Sequence, residues 1–274
     1  RVNRFGQAGR SLFQAFAGIL AQTQFDAQRY RSLGVENVQI VGNLKFDVPL
    51  DPALVKQGKA WQENLHTSQR LMVCAASTRD GEEAIILNAW KDLLLNHAFE
   101  VHPLLCIVPR HPERFTEVAD QIHAAGLKFR RRTEWQGIPK DTTDLDVVLG
   151  DSMGEMPMYY SAADLVVMGG SLLRFGGQNL IEACAAGCPV LLGEHTYNFQ
   201  QASIDAIDAG AAKRIKGDLL LGEPIALMEV LKSLLLNPAE LAQMAVAAKT
   251  YSVEHQGATK RIIAALDHQN FTLA

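Results

Sequence analysis

The sequence lacks most of the features that mark secreted and membrane proteins. It has 4 cysteines among 274 residues, and the spacing of Cys74, Cys106, Cys184 and Cys188 fits neither a zinc site nor a disulfide framework. We therefore expect buried, reduced thiols, as in a cytoplasmic compartment. No apolar run approaches the ~20 residues that a membrane helix needs, since SLFQAFAGIL (11–20) is too short and contains a glutamine. No signal peptide is visible.

An excess of positive charge is also absent. The net charge is −4, so the chain lacks the basic surface of a general nucleic-acid binder, and we predict no nucleic-acid partner. The basic run KFRRR (128–132) is predicted to be a polar, partly exposed strand, with an anion-binding patch as the alternative. Asp144 and Asp146 have a D-x-D spacing but precede a strand instead of following one. We therefore predict no metal site.

What is present is an alternation of short apolar runs with helix-length amphipathic runs. This pattern over residues 70–256 predicts a Rossmann-like α/β domain, with a parallel sheet covered by helices on both faces. The predicted strands are 70–78, 101–109, 146–150, 164–170 and 188–193, and the predicted helices are 80–97, 112–126, 153–163, 179–187 and 198–210, before a helical tail at 224–236, 238–255 and 257–268.

The first 46 residues differ from the rest. Strand 19–23, helix 26–34 and strand 38–43 form a single β-α-β unit, which is too small to bury its own apolar faces. The sequence opens on RVNRFGQAGR without an initiator methionine, so we expect a piece of a longer chain, with 1–46 the remnant of a preceding domain. Residues 47–69 begin with two prolines and are predicted to be a linker.

Polar loops follow the predicted strands. Ligands of open α/β sheets bind outside the carboxyl ends of the strands, so these loops should form one rim. They are STRDGEE (77–83), PRHPER (109–114), GDSMGEM (150–156), GGSLLRFGGQN (169–179) and GEHTYNF (193–199). The candidate rim residues that accompany the main site are Ser77, Thr78, Gly170, Ser171, Gly176, Gly177 and His195.

Each rim feature also has a purely structural interpretation. Asp80 to Glu83, Ser152 to Glu155 and Asn179 to Glu182 all resemble capping boxes, and Glu83 is expected to be a cap or to lie on a solvated face. The glycine pairs 169–170 and 176–177 could present N–H groups to an anion or could simply form turns.

Arg110 is harder to explain structurally. It lies between two prolines directly after a buried strand, where the chain is stiff. A guanidinium fixed there can clamp a phosphate or a carboxylate. The alternative is an ion pair with Glu113 or with another carboxylate of the rim.

Five motifs in order resemble one family. VGNLKFD, AASTRDGEE, CIVPRHPERF, GDSMGEM and GGSLLRFGGQNLIEACAAGCPVLLGEHTYNF are similar to the transferases of 3-deoxy-D-manno-octulosonic acid (Kdo) in lipopolysaccharide synthesis, the KdtA/WaaA family. The resemblance implies a GT-B glycosyltransferase, with two Rossmann-like domains and the active site between them. Such an enzyme moves Kdo from CMP-Kdo to the lipid A precursor, with inversion and with neither a metal nor another cofactor.

The resemblance also assigns a donor site in the C-terminal domain. Carried over by motif, the residues that contact CMP are Pro109, Arg110, Met153, Gly154, Glu155, Asn179, Leu180, Ile181 and Glu182. In this assignment Arg110 meets the anionic groups, Glu182 accepts from ribose hydroxyls, and the backbone of 153–155 reads the cytosine edge. Leu180 replaces the usual proline, and Glu194 before His195 is a further departure that leaves the role of His195 open.

The resemblance places the general base in the N-terminal domain, before the first residue here. We therefore expect this chain to bind CMP or CMP-Kdo without transferring sugar, since a base must lie within hydrogen-bond reach of the acceptor hydroxyl. The full-length protein is expected at the cytoplasmic face of the bacterial inner membrane.

The last segment, 257–274, is expected to be a helix that packs toward the N-terminal domain. Its apolar residues Ile262, Ile263 and Leu266, together with 1–46, are expected to support self-association. The alternative functions are a GT-B enzyme that uses a UDP-sugar and a non-catalytic nucleotide-binding module.

Overall fold

The structure is a computed structural model that describes residues 6–96, 99–215 and 225–268. It divides into a larger unit, 50–251, and a smaller unit made of the segments before 50 and after 251. The helices are α1 (Gly6–Gln14), α2 (Gln24–Ser32), α3 (Pro52–Thr67), α4 (Glu82–Asn96), α5 (Phe115–Ala124), α6 (Met156–Ala162), α7 (Ile181–Ala185), α8 (Gln200–Asp208), α9 (Ile225–Leu235), α10 (Pro238–Glu254) and α11 (Ala258–His268). The strands are β1 (Ile19–Ala21), β2 (Val38–Ile40), β3 (Met72–Thr78), β4 (Leu104–Pro109), β5 (Phe129–Arg131), β6 (Val147–Leu149), β7 (Leu165–Met168), β8 (Val190–Leu192) and β9 (Ala212–Arg214).

The larger unit is built on a seven-stranded sheet in which every pairing is parallel. The strand order is β5-β6-β4-β3-β7-β8-β9. The central strand β3 pairs Cys74 with Cys106 of β4 on one side and with Val166 of β7 on the other. These strands are buried apolar runs, as a sheet covered on both faces requires. The predicted Rossmann-like α/β fold is confirmed.

The two edges of the sheet explain where the sequence pattern was weak. KFRRR contributes the edge strand β5, whose residues are all half-buried, as the polar-strand prediction requires. At the opposite edge, β9 escaped prediction because it is three residues long and two of them, Lys213 and Arg214, are basic. The long apolar runs of central strands can be recognised in a sequence, whereas short, polar edge strands give no such pattern.

The prediction of a linker at 47–69 is corrected by a helix. Asp51 caps α3, its carboxylate accepting from the N–H of Ala53 at 2.8 Å, and Pro52 lies in the first turn, where no N–H is needed. The helix buries Trp61 and packs against α6 so closely that a Cβ on Gly58 would lie 2.3 Å from the Met158 carbonyl oxygen. The prolines therefore mark a helix start. The larger unit accordingly begins at residue 50 and not at 70.

One ion pair ties α3 to the sheet and should depend on pH. His66 Nε2 lies 2.8 Å from Asp164 Oδ1, and the other carboxylate oxygen of Asp164 accepts from the N–H of Met72. The hydrogen bond to Asp164 raises the pKa of His66 above its usual 6.5. The bond's contribution to stability is therefore full below about pH 6.5 and is lost as the pH rises through the folded-state pKa.

We expect His66→Ala to lower the unfolding free energy more at pH 5.5 than at pH 9. Urea unfolding of both variants at the two pH values measures this. His123→Ala serves as the control, because His123 is exposed on α5 and its side chain has no hydrogen bond within the described residues. A His66 effect that is equal at both pH values would contradict the assignment.

The smaller unit holds the predicted β-α-β segment. Strands β1 and β2 pair in parallel, and a small core forms around Ala21, Ala27, Val35 and Val38. The sequence pattern did not predict helix α1, a nine-residue helix that only partly overlaps the apolar run 11–20.

The last helix lies in the same unit. The carboxylate of Asp47 accepts from the backbone N–H groups of Gly257 and Thr259, at the start of α11. On α11, Ile263 and Leu266 are exposed and Ile262 is half-buried. Self-association through this face stays a prediction. The rest of the predicted segment, 269–274, lies outside the described residues, as does the start of the 1–46 segment.

Two further sequence predictions concern cysteines and membrane segments. All four cysteines are unbridged and buried, and burial raises the pKa of Cys184 to about 12, so that it stays a thiol. Within 6–96, 99–215 and 225–268, no helix has the length and apolar character to cross a bilayer.

Candidate functional site

The candidate site lies where the strand order of the larger sheet reverses. The chain forms β3, β4, β5 and β6 on one side of this point and then crosses to form β7, β8 and β9 on the other. Ligands of such sheets bind in the crevice outside the carboxyl ends of the strands at this switch point. The loop after β3 (77–83) and the loop after β7 (169–179) meet there.

A buried glutamate fixes the first glycine pair. Glu82 is fully buried in the first turn of α4. Its carboxylate accepts from the backbone N–H groups of Gly170 at 2.6 Å, Leu172 at 2.9 Å and Leu173 at 3.2 Å, and also from that of Arg79 at 2.9 Å. Burial raises the pKa of Glu82, and the four N–H donors oppose that shift. One side chain therefore anchors the whole start of the 169–179 loop.

This anchoring changes the role of the glycines. For the glycines of the loop 169–179, here called the glycine loop, the sequence left two roles open: N–H donors to an anion, or turns. The N–H of Gly170 donates to Glu82, while Gly177 and Gln178 donate to the carbonyl oxygens of Gly170 and Gly169 at 2.6 and 3.1 Å. These three N–H groups hold the loop in shape and are not available to a ligand. The glycines allow close approach, which is the other reason for using them.

One such close approach joins the ends of β3 and β7. A Cβ on Gly169 would lie 2.3 Å from the carbonyl oxygen of Ser77. Ser77 has φ of 56°, a left-handed conformation that is uncommon for residues other than glycine, at an irregularity in the pairing of β3 with β4. Strain of this kind is found preferentially at functional sites.

Glu83 differs most from what the sequence predicts. The expectation of a cap or a solvated face is wrong, because Glu83 is fully buried. Its Oε1 accepts from Thr78 Oγ1 at 2.6 Å and from Arg114 Nη1 at 2.7 Å. The capping role belongs to Glu82, which reaches back to the N–H of Arg79. Glu82 and Arg114 were therefore missed, although the acidic pair in DGEE was visible.

Arg110 is exposed and follows the buried Pro109 at the end of β4. Its backbone N–H donates to the carbonyl of Thr78 at 3.0 Å, which places it beside the end of β3. The predicted alternative of an ion pair with Glu113 is not formed, since His111 is the group that approaches Glu113, at 4.0 Å. In the described part of the chain, the Arg110 guanidinium has no ion-pair partner.

The loop after β6 combines an open backbone with a tied glutamate. Met153 and Gly154 are exposed, and Gly154 has φ of 81°, so the backbone here faces outward. Glu155 accepts from Arg132 Nη2 at 2.9 Å and from the Ser152 hydroxyl. The Glu155 side chain is thus held by contacts within the protein. Because Arg132 is paired with it, the alternative of an anion-binding patch at KFRRR is weakened.

Asn179 and Glu182 contact each other at the start of α7, but the predicted capping box is not formed, because Glu182 accepts from the Asn179 side chain and not from its backbone N–H. Asn179 Oδ1 accepts from the N–H of Ile181 at 3.2 Å, while Asn179 Nδ2 donates to Glu182 Oε1 at 2.8 Å. Leu180 and Ile181 are buried and carry the segment into the core. Glu182 is half-buried, and among the described residues no hydrogen bond reaches its Oε2. That oxygen can accept from a ligand.

The loop after β8 is hydrogen-bonded to the glycine loop. The hydroxyl of Ser171 accepts from the N–H of Gly193 at 2.8 Å, and the N–H of His195 donates to the Ser171 carbonyl at 3.0 Å. Asn198 closes the contact, with its N–H bonded to the Gly176 carbonyl at 2.9 Å. His195 therefore lies at the rim through its backbone, and its ring is half-buried.

A cavity of about 810 Å³ lies in the smaller unit, between residues 46–49 and α11. It contains none of the site residues predicted from sequence. The predicted site residues lie instead in the loops at the sheet's carboxyl edge.

Comparison with known proteins supports this choice. A family profile described as 3-deoxy-D-manno-octulosonic-acid transferase (kdotransferase) matches residues 1–48. The 3-deoxy-D-manno-octulosonic acid transferase of Bordetella pertussis is 43% identical over 97% of this chain and 60% of that protein. The enzyme of the same name from Haemophilus influenzae is 32% identical over 93% of this chain and 57% of that protein. The chain thus spans under two thirds of the length of these relatives.

Solved structures agree with the sequence relatives. The C-terminal CMP-Kdo binding domain of WaaA from Acinetobacter baumannii matches with a TM-score of 0.63 and 28% identity, over 73% of this chain and 98% of that domain. Anabaena Alr3699/HepE in complex with UDP matches with a TM-score of 0.59 over 99% of this chain and 70% of that one, and at 15% identity it shows the fold alone.

The parallel sheet and these neighbours give the chain the fold of the GT-B class. Within that class, the chain belongs to the Kdo transferase family.

Proposed function

We propose that this chain binds CMP-Kdo and supplies the donor-binding part of a Kdo transferase. The observation that carries the proposal is the match to a CMP-Kdo binding domain over 98% of that domain's length. It is supported by the position of the family motifs, which follow β3, β4, β6 and β7 at one edge of the sheet.

The geometry suggests which residue contacts which part of the nucleotide. Arg110 carries an exposed guanidinium that has no ion-pair partner among the described residues, at the switch point, and it is suited to the donor's phosphate. Glu182 has one oxygen held by Asn179 and the other available to ribose hydroxyls. The outward backbone of Met153 and Gly154 suits the edge of the cytosine base. These groups are positioned by neighbouring residues. The buried ones are Pro109, Leu180 and Ile181, and Glu155 is held by Arg132.

Titration with nucleotides tests the proposal against its main alternative. We expect CMP to raise the melting temperature of the chain and UDP to have little effect, because a ligand at ~100 times its Kd stabilises by about 2.7 kcal/mol. Stabilisation by UDP but not by CMP would favour a UDP-sugar enzyme. Binding of neither nucleotide would refute the donor site.

Glu182→Gln tests the ribose contact. The amide keeps the size of the side chain but turns one acceptor into a donor, so we expect CMP to bind about tenfold more weakly, the value of one charge-assisted hydrogen bond. The unfolding free energy should fall by less than about 1 kcal/mol, because Asn179 can still cap Ile181. Isothermal titration and urea unfolding measure the two effects. A loss of stability with unchanged affinity would make Glu182 a cap only.

The activity of the whole protein is part of the same proposal. We propose transfer of Kdo to the lipid A precursor with inversion and without a catalytic metal, at the cytoplasmic face of the inner membrane. The rim glutamates that are wholly or partly buried, at 82, 83, 155 and 182, accept from protein donors, which suits binding and not general-base catalysis. We therefore expect CMP binding without Kdo transfer from the purified 274-residue chain, and measurable transfer would contradict this.

Self-association is the remaining proposal about partners. It is supported by the exposure of Ile263 and Leu266 on α11 and of Leu12 and Phe16 near the start of the chain. Sedimentation of the chain tests it, and a monodisperse monomer would count against it.

A further inference from the structure

Two neighbouring arginines at the switch point lack a counter-charge. Arg79 follows Thr78 at the end of β3, and Arg110 follows Pro109 at the end of β4. The hydrogen bond from the Arg110 N–H to the Thr78 carbonyl, 3.0 Å long, brings these two chain positions together. Within the described residues, neither side chain forms an ion pair.

Most carboxylates of the rim loops already have partners. Glu82 accepts from four N–H groups, Asp80 and Glu83 pair with Arg114, Asp151 pairs with Arg131, Glu155 pairs with Arg132, and Glu182 accepts from Asn179. The two exposed glutamates, Glu113 and Glu194, form no ion pair with Arg79 or Arg110 within the described residues, and Glu113 is approached by His111 at 4.0 Å. The two arginines of the switch point are therefore not paired with a carboxylate of the described rim.

The side chain of Arg79 is held in place by an aromatic ring. Its guanidinium carbon lies 4.9 Å from the ring centroid of Phe175, in the glycine loop. Phe175 is itself fixed, since its N–H donates to the Leu173 carbonyl at 2.7 Å and its carbonyl accepts from Asn198 Nδ2 at 3.0 Å. A guanidinium stacked on a ring keeps its N–H donors free at its edge, where they can bind a planar anion.

We propose that Arg79 binds the carboxylate of the donor's sugar acid, beside Arg110 on the phosphate. This inference rests on the proposed function, because it takes CMP-Kdo as the donor. In that molecule the carboxylate and the phosphate oxygen are attached to the same anomeric carbon, so two cations on adjacent strand ends match two adjacent anions. Arg79 then selects a sugar acid over a neutral sugar. Binding of CMP alone does not test this selectivity, because CMP lacks the sugar carboxylate.

The test compares two ligands on one variant. In calorimetric titrations of the full 274-residue chain, Arg79→Gln should bind CMP within about twofold of the unmodified chain and bind freshly prepared CMP-Kdo at least about tenfold more weakly, as expected for a lost charge-assisted contact. Arg110→Gln should weaken both ligands. Phe175→Leu should weaken CMP-Kdo selectively but less, since the arginine remains and only its support is removed.

The chain offers a matched control in Arg130, which stacks on Trp135 at 4.4 Å on the edge strand β5. Arg130→Gln should change neither affinity, and thermal unfolding of all variants shows that they are folded. An equal loss of CMP and CMP-Kdo affinity in Arg79→Gln, or no loss of either, would overturn the inference while leaving the proposed function standing. An unmodified chain that binds neither ligand would refute both.

Discussion

Replacing Glu82 by alanine should destabilise the larger unit by about 4 kcal/mol or more. Four backbone N–H groups would lose their acceptor, and each buried, unsatisfied donor costs about 1–3 kcal/mol, less where water can enter from the rim. That is a large fraction of the total stability of a domain, which is about 5–15 kcal/mol. The loop at 169–173 would also lose its anchor, so we expect CMP binding to be lost together with stability.

Urea unfolding, followed with CMP titration, measures both effects of the Glu82 change. Glu82→Gln should be intermediate, at about 2 kcal/mol, because its amide oxygen still accepts while its nitrogen cannot. Glu63→Ala on α3 is the matched control, since Glu63 is exposed and its side chain has no hydrogen bond in the ranges described. We expect that control to cost under about 0.5 kcal/mol. A Glu82→Ala value no larger than the control's would contradict the anchoring role.

The second large effect is expected at Arg114. Its guanidinium pairs with the fully buried Glu83 at 2.7 Å and also with the exposed Glu117 at 2.8 Å. These contacts raise the pKa of Arg114 further above its usual value, against the effect of burial, so it stays charged at any ordinary pH. Arg114→Met would leave the Glu83 carboxylate buried without its cation, which costs about 3–5 kcal/mol.

Two variants show whether that cost comes from the uncompensated charge. In Arg114→Met with Glu83→Leu, no buried charge remains, so most of the stability should return. Arg130→Met is the surface control, because its Glu134 partner is half exposed and such pairs contribute about 0–1 kcal/mol. Guanidinium unfolding of the three variants measures this. Equal costs for Arg114→Met and Arg130→Met would show that the Glu83 pair is no stronger than a surface pair.

The sequence alone determined the architecture, and it predicted the edge of the sheet at which the candidate site lies. Apolar runs alternating with amphipathic ones specified a covered parallel sheet, and the polar residues after each run specified the rim at its carboxyl edge. Arg110 and the contact between Asn179 and Glu182 could be singled out because their evidence is local: a stiff position between prolines, and two side chains three residues apart.

Only the tertiary structure decided how the rim is held together. Glu82 bonds to amides some ninety positions later in the chain, and the cation that pairs with Glu83 comes from the loop after the next strand. The helix at 52–67 and the pairing of Arg79 with Phe175 depend on partners equally distant in sequence. Local patterns report which face of an element is apolar, but burial of a charge depends on what the chain brings to it later. From sequence alone, a glutamate after a strand is therefore predicted to lie on the surface, because the hydrogen-bond donors that allow its burial come from distant parts of the chain.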